Sequence, residues 1–177
     1  MKSLLLTLVA LIATTSVLFA QDTSYGVRAG INISNLDFDP DATFSNQHRN
    51  GFAFGGFVDH GFTESFSGYV EIQYSAEGAK ADDLRADYIQ MPILARFSIG
   101  DNLTIGAGPM VSLKTWKDDD AFATFAYSGV GGIEYMITDE LFIDARVHYG
   151  LSNILDDDIE GLEAQNTTFQ FGFGIKI

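Results

Sequence analysis

Apolar and polar residues alternate with a period of two along most of this chain, and the alternation recurs in eight runs. In the first, Tyr25, Val27, Ala29, Ile31 and Ile33 fall on one face, with Arg28, Asn32 and Ser34 on the other. Phe52, Phe54 and Val58 mark the second, opposite Asp59. The third sets Phe66, Val70, Ile72, Tyr74 and Ala76 against Tyr69, Glu71, Gln73, Ser75 and Glu77. Ile89, Met91, Ile93, Ala95 and Phe97 oppose Gln90, Leu94 and Arg96 in the fourth. In the fifth, Leu103, Ile105, Ala107, Val111 and Leu113 alternate with Thr104, Gly106, Gly108, Ser112 and Lys114. The sixth places Phe125, Tyr127, Ile133, Tyr135 and Ile137 opposite Ser128, Gly132 and Glu134. Leu141, Ile143, Ala145, Val147, Tyr149 and Leu151 then oppose Asp144, Arg146 and His148. The last sets Phe169, Phe171, Phe173, Ile175 and Ile177 against Gln170, Gly172, Gly174 and Lys176. This period predicts β-strands with two unlike faces. At about 9–13 residues each, the runs suit tilted strands that cross a bilayer.

Connections alternate in length. Short turns are predicted around Gly61–Glu64, Gly100–Asn102 and Thr138–Glu140, and long loops over roughly Asn35–Asn50, Gly78–Asp87, Thr115–Ala123 and Ser152–Asn166. Outer-membrane barrels are built this way, with the long loops outside the cell. An even number of strands then leaves both mature termini in the periplasm. Ten strands would need two more alternating runs than the chain offers.

The first 20 residues are of another kind: Lys2, a nearly unbroken apolar run from Leu4 to Ile12, and the small Ala20 before Gln21. That layout predicts a cleavable signal peptide over 1–20 and a barrel domain over 21–177, with an uncleaved N-terminal anchor as the alternative. Losing Lys2 leaves nine Lys and Arg against 24 Asp and Glu, a net charge of −15. Such a chain repels nucleic-acid phosphates. With no cysteine there is neither a disulfide framework nor a lipidation site after the signal. No apolar stretch in the mature part approaches the roughly 20 residues of a spanning helix. A membrane crossing must therefore use a closed barrel, because lipid does not tolerate open sheet edges.

Alternation alone also suits a soluble, lipocalin-like ligand-binding barrel, whose outside is polar and whose interior is apolar. Here one face is almost free of charge on all eight runs. The other carries Arg28, Arg96, Lys114, Arg146 and Lys176 against Asp59, Glu71, Glu77, Glu134 and Asp144. Five charges of each sign around one narrow lumen can pair, whereas unpaired they would cost several kcal/mol each. An apolar face toward lipid and a lumen ion-pair network account for both faces. Tyr25, Phe66, Phe97 and Tyr135 near the short turns, and Phe52, Tyr74, Phe125, Tyr149 and Phe169 near the long loops, form the two aromatic bands expected at headgroup depth. Interior glycines, among them Gly106, Gly132 and Gly172, leave room for the long charged side chains.

The segments YGVRAGINISNL (25–36), DYIQMPILARF (87–97), GAGPMVSL (106–113) and FQFGFGIKI (169–177) resemble the porin-family outer-membrane β-barrel domain, the PorT-like group. The resemblance covers essentially the whole mature chain. It implies an eight-stranded barrel of the OmpA/OmpX type in the outer membrane and brings no catalytic residues. The sequence stops at Ile177, right after the last run, so the periplasmic peptidoglycan-binding domain of longer OmpA-type proteins is not expected.

Candidate chemistry is sparse. The best case for an enzyme is His148 near Asp144, Arg146 and Ser152. On its strand His148 faces the lumen, where joining the ion network is the simpler role, and a nucleophile would also need an orienting group and substrate access. His48 and His60 have no partner at ligand spacing. The loops are acidic, and 156–161 (DDDIEG) resembles half of a calcium loop, with Asp156, Asp158 and Glu160 offering oxygens; Thr167 in place of the closing Glu rules out an EF-hand. Weak Ca²⁺ or Mg²⁺ binding there competes with a merely solvated charge run.

The expectation is thus all-β: an eight-stranded antiparallel up-and-down transmembrane barrel, monomeric, exported to the outer membrane of a Gram-negative bacterium. It has no catalytic site or required cofactor. Its partners are outer-membrane lipid, lipopolysaccharide and the barrel-assembly machinery, and its role is structural or surface interaction. A narrow pore for small solutes or ions is the alternative, second because eight-stranded lumens are usually filled by side chains.

Overall fold

The computed structural model describes residues 23–40, 46–115, 122–155 and 162–177. Eight strands run in chain order: β1 (Thr23–Asp39), β2 (Arg49–Gly61), β3 (Phe66–Gly78), β4 (Arg85–Ile99), β5 (Leu103–Lys114), β6 (Phe125–Met136), β7 (Leu141–Gly150) and β8 (Glu163–Lys176). Each pairs antiparallel with the next, and β1 pairs with β8 from Gly26↔Lys176 to Asp39↔Glu163, which closes the barrel. Turns at 62–65, 100–102 and 137–140 join the strands at one end, as the short connections predict. Gly100 takes φ +66° in the middle one, which a Cβ would strain. Among the described residues no helix is long and apolar enough to cross a membrane, which says nothing against crossing by strands.

The side chains sort by parity. Val27, Ile31, Phe54, Ile72, Ile93, Ile133, Ile143, Phe171 and Phe173 stand exposed on the outside, while Arg28, Glu71, Arg96, Glu134, Asp144 and Arg146 are buried within. For a protein in water this would be inside-out; against hydrocarbon it satisfies both faces.

Several strands run further into the predicted loops than the sequence suggests. β1 runs on to Asp39, β8 starts at Glu163 and β4 at Arg85, so Asp37, Asp39 and Glu163 are strand residues, not loop residues. The reason is a reversal in the sense of the alternation. Beyond Ile33, β1 points the polar Asn35, Asp37 and Asp39 outward, while Leu36 is fully buried inside and Phe38 packs beside it. β8 does the same below Phe169, with Glu163, Gln165 and Thr167 outside and Ala164 buried within. The barrel wall thus continues past the apolar belt into water, where an apolar interior and a polar exterior are favoured. The crossover from Ile33 to Asn35, and from Phe169 to Thr167, marks the loop-side edge of the belt.

Above that edge, Leu36, Ala79, Phe122, Ala126, Ile154, Leu155 and Ala164 form an apolar cluster. Loop residues contribute to it through the Phe122↔Leu155 bridge. It lies over the loop end of the lumen as a cap.

Candidate functional site

The lumen is the natural place to look for a path or a catalytic centre. Below the cap, Arg28 meets Asp144 through Nε–Oδ2 at 2.6 Å, and its Nη1 lies 3.9 Å from Glu71. Arg146 donates to Glu71 Oε2 at 2.6 Å and to the Tyr69 hydroxyl at 2.9 Å, with Nε 3.5 Å from Asp144. Arg96 bridges Asp59 at 2.8 Å and Glu134 at 2.6 Å. Lys176 joins them, 2.8 Å from Glu134 and 4.0 Å from Asp59. Four cations and four carboxylates therefore face one another with no net charge. Tyr69 lies between two of the guanidiniums, its ring centroid 4.9 Å from Arg96 and 5.2 Å from Arg146.

A closed circuit of hydrogen bonds crosses the middle of the lumen. Arg28 donates to Gln170, Gln170 to Asn32, Asn32 to Ser75 and Ser75 to Glu77. Gln90 also donates to Glu77, Gln73 donates to Gln90, and Arg28 returns to Gln73 at 3.4 Å. Glu77 is thus held by neutral donors, Asn166 included, with His148 Nδ1 at 3.6 Å. Lys114 sits nearer the cap, its ammonium 5.2 Å from the Phe122 ring centroid.

Space for these groups comes from glycines. A Cβ on Gly172 would lie 2.6 Å from the Arg28 guanidinium and 2.8 Å from the Asp144 carboxylate. One on Gly132 would meet the Arg146 side chain at 2.8 Å, and one on Gly106 would meet that of Arg96 at 3.0 Å. The sequence reading missed the apolar component of the interior. Phe57, Met110, Val130 and Phe142 pack with Tyr69 and Leu94 among the ions. Their parity carries the signal: each lies an even number of residues from a charged lumen residue on the same strand.

The candidate hydrolytic group is not assembled. Asp144 is engaged by Arg28 and Arg146, and Ser152 Oγ accepts the Tyr127 N–H at 2.9 Å. Neither ring nitrogen of His148 has a hydrogen-bond partner among the described residues. Asp156, Asp158 and Glu160 lie outside the described residues.

The sequence as a whole matches the family described as "Outer membrane protein beta-barrel domain" over residues 3–176. The chain belongs to that family. Among curated proteins none matches it significantly in sequence. Among solved structures, Neisserial surface protein A shares the fold with a TM-score of 0.55 at 14% identity, covering 86% of this chain and 97% of that one. Ail, the attachment invasion locus protein of Yersinia pestis, gives a TM-score of 0.55 at 14% identity, over 89% of this chain and 100% of that one. Ail has also been solved with the heparin analogue sucrose octasulfate, with a TM-score of 0.54 at 15% identity over 89% and 100% of the two chains. Like its family, this barrel belongs to the outer membrane.

Proposed function

We propose that this outer-membrane barrel is a sealed, non-conducting structural or surface-interaction protein that presents acidic loops to the outside. The carrying observation is the filled lumen: the hydrogen-bond circuit, the neutral ion cluster and the aromatic packing meet across it. A cavity between Leu94, Arg96 and Glu134 has about 20 Å³, room for roughly one water. An ion entering would have to displace pairs whose separation strands buried charge, and the apolar cap adds a second barrier above them. The names of the two similar barrels, a surface protein and an attachment invasion locus protein, are in keeping with an outward-facing role. On this reading residues 1–20 are the export signal, both mature termini are periplasmic, the assembly machinery inserts the barrel, and it acts as a monomer without enzymatic activity or cofactor.

Planar-bilayer recording of the refolded mature protein is the test. The expected trace is silent at potentials where a porin control conducts. Reproducible unitary steps that disappear when the protein is omitted would favour the narrow pore instead.

A further inference from the structure

The strongest unassigned feature lies on the outer wall of the barrel, at the edge of the apolar belt. A cleft of about 950 Å³ opens between β1, β8, the segment 46–50 and the β3–β4 connection. Its floor straddles the point where the outward face changes character: Ile33 and Phe169 on the lipid side, Asn35 and Thr167 on the water side. Its wall carries His48, Arg49, Lys80 and Arg85. Among the described residues three Lys and Arg lie outside the lumen, and all three are here, with Asp37 the single carboxylate in the lining. For a protein of net charge −14 that is a local concentration of cations, two of which pair with carboxylates just outside the lining.

The fold builds this concentration. Lys80 N–H bonds the Gln47 carbonyl at 2.9 Å, and its ammonium reaches Gln47 Oε1 at 3.5 Å, which ties the β3–β4 connection to 46–50. The neighbouring bridge His48↔Ala79 fixes the same contact. Gly78, at φ +90°, and the tight turn at 82–84 bring Arg85 back beside Gly78. Arg49 bonds Asp87 at 2.8 Å and the Glu77 carbonyl at 2.6 Å, and is a structural tie of the rim. Lys80 and Arg85 differ. Lys80 is exposed, and Arg85, half exposed, pairs at 2.8 Å with an Asp82 that is almost wholly in solvent, a kind of pair that binds weakly and yields to a better anion.

From this geometry we infer that the cleft binds the phosphate-bearing headgroup of an outer-leaflet lipid, the anchor of lipopolysaccharide, with Lys80 and Arg85 on the phosphate and an acyl chain against Ile33 and Phe169. A ligand that fills it must be anionic at one end and apolar at the other, because the cations stand directly above the belt. Guanidinium and ammonium groups suit phosphate oxygens, and the volume fits a sugar-sized headgroup. The acidic loops would repel an anionic leaflet; this cleft supplies a place where that leaflet is held. The inference rests on the proposed orientation, with the loops outside.

Native mass spectrometry of the detergent-folded barrel titrated with lipid A tests the site independently of orientation. One lipid should bind the wild type. Affinity should fall at least tenfold in the K80Q/R85Q double variant, in Thr167→Trp, which blocks the floor without changing charge, and for lipid A stripped of its phosphates. Heat-modifiable migration on gels verifies that each variant is folded, and Lys80→Gln alone should give an intermediate loss. Unchanged binding by the variants, or equal binding of dephosphorylated lipid A, would overturn the site. Tighter binding of sucrose octasulfate than of lipid A would overturn the lipid in favour of a soluble polyanion. Labelling of Asp82→Cys in intact cells reports separately on orientation: no labelling there alongside intact lipid A binding would refute the outward placement and leave the site standing.

Discussion

Replacing Arg146 with leucine removes one of four cations from a balanced cluster, so its cost can be argued from the contacts it loses. The side chain is buried, and its Nη1 lies 2.6 Å from Glu71, a carboxylate that is itself 1% exposed. Without Arg146, Glu71 keeps the Tyr69 hydroxyl at 2.7 Å and the more distant Arg28 at 3.9 Å, and Asp144 keeps Arg28. Breaking a buried pair costs about 3–5 kcal/mol. The surviving partners place this variant near the lower end, about 3 kcal/mol. Val147→Ala, one residue along but facing lipid, loses two methyl groups from a surface that is not close-packed, about 1 kcal/mol or less. Urea titration in detergent micelles, followed by heat-modifiable migration, should therefore show a much larger midpoint shift for Arg146→Leu. Adding Glu71→Gln to Arg146→Leu should restore part of the loss, with a coupling of about 1 kcal/mol or more. A midpoint shift for Arg146→Leu no larger than that for Val147→Ala would refute the pairing argument.

Other outcomes follow from the same contacts. Gly172→Val would drive its side chain into the Arg28–Asp144 pair, so the refolding yield should collapse, whereas Gly131→Val, where an added Cβ meets nothing within 4 Å, should refold as the wild type does. Phe122→Ser removes the ring over Lys114 and opens the cap, and should make the loop end more sensitive to added protease while the belt stays intact, as read by fragment masses. Cysteines at Asp82 and Asp139 should differ in intact cells, with an impermeant maleimide labelling the first and sparing the second.

The fold was legible because a membrane barrel imposes one rule on every strand, and Val27, Ile72, Ile93 and Phe171 obey it without exception. The rule reverses where water replaces lipid. Asn35, Asp37 and Asp39 look like loop residues to a reader expecting apolar residues outside, although Leu36 and Phe38 continue the period on the opposite face. The charged lumen residues were recognisable because ionised groups stand out against an apolar face. Phe57 and Phe142 were not, since an inward aromatic in a chain rich in outward ones differs only in parity. The cleft was beyond reach for a different reason. Its cations are few and separated in sequence, and only the β1–β8 closure and the Gln47–Lys80 contact bring them over Ile33 and Phe169.

Which face of each strand meets lipid is measured directly by a nitroxide scan along β7, Leu141–Gly150. With the barrel reconstituted in bilayers, spin labels at 141, 143, 145, 147 and 149 should collide freely with dissolved oxygen and hardly at all with a water-soluble nickel complex. Labels at 142, 144, 146 and 148 should be shielded from both, as a filled lumen requires. Collision with the nickel complex at the odd positions, or at 144 and 146, would contradict the account: the first would put the apolar face in water, and the second would make the lumen an open aqueous path.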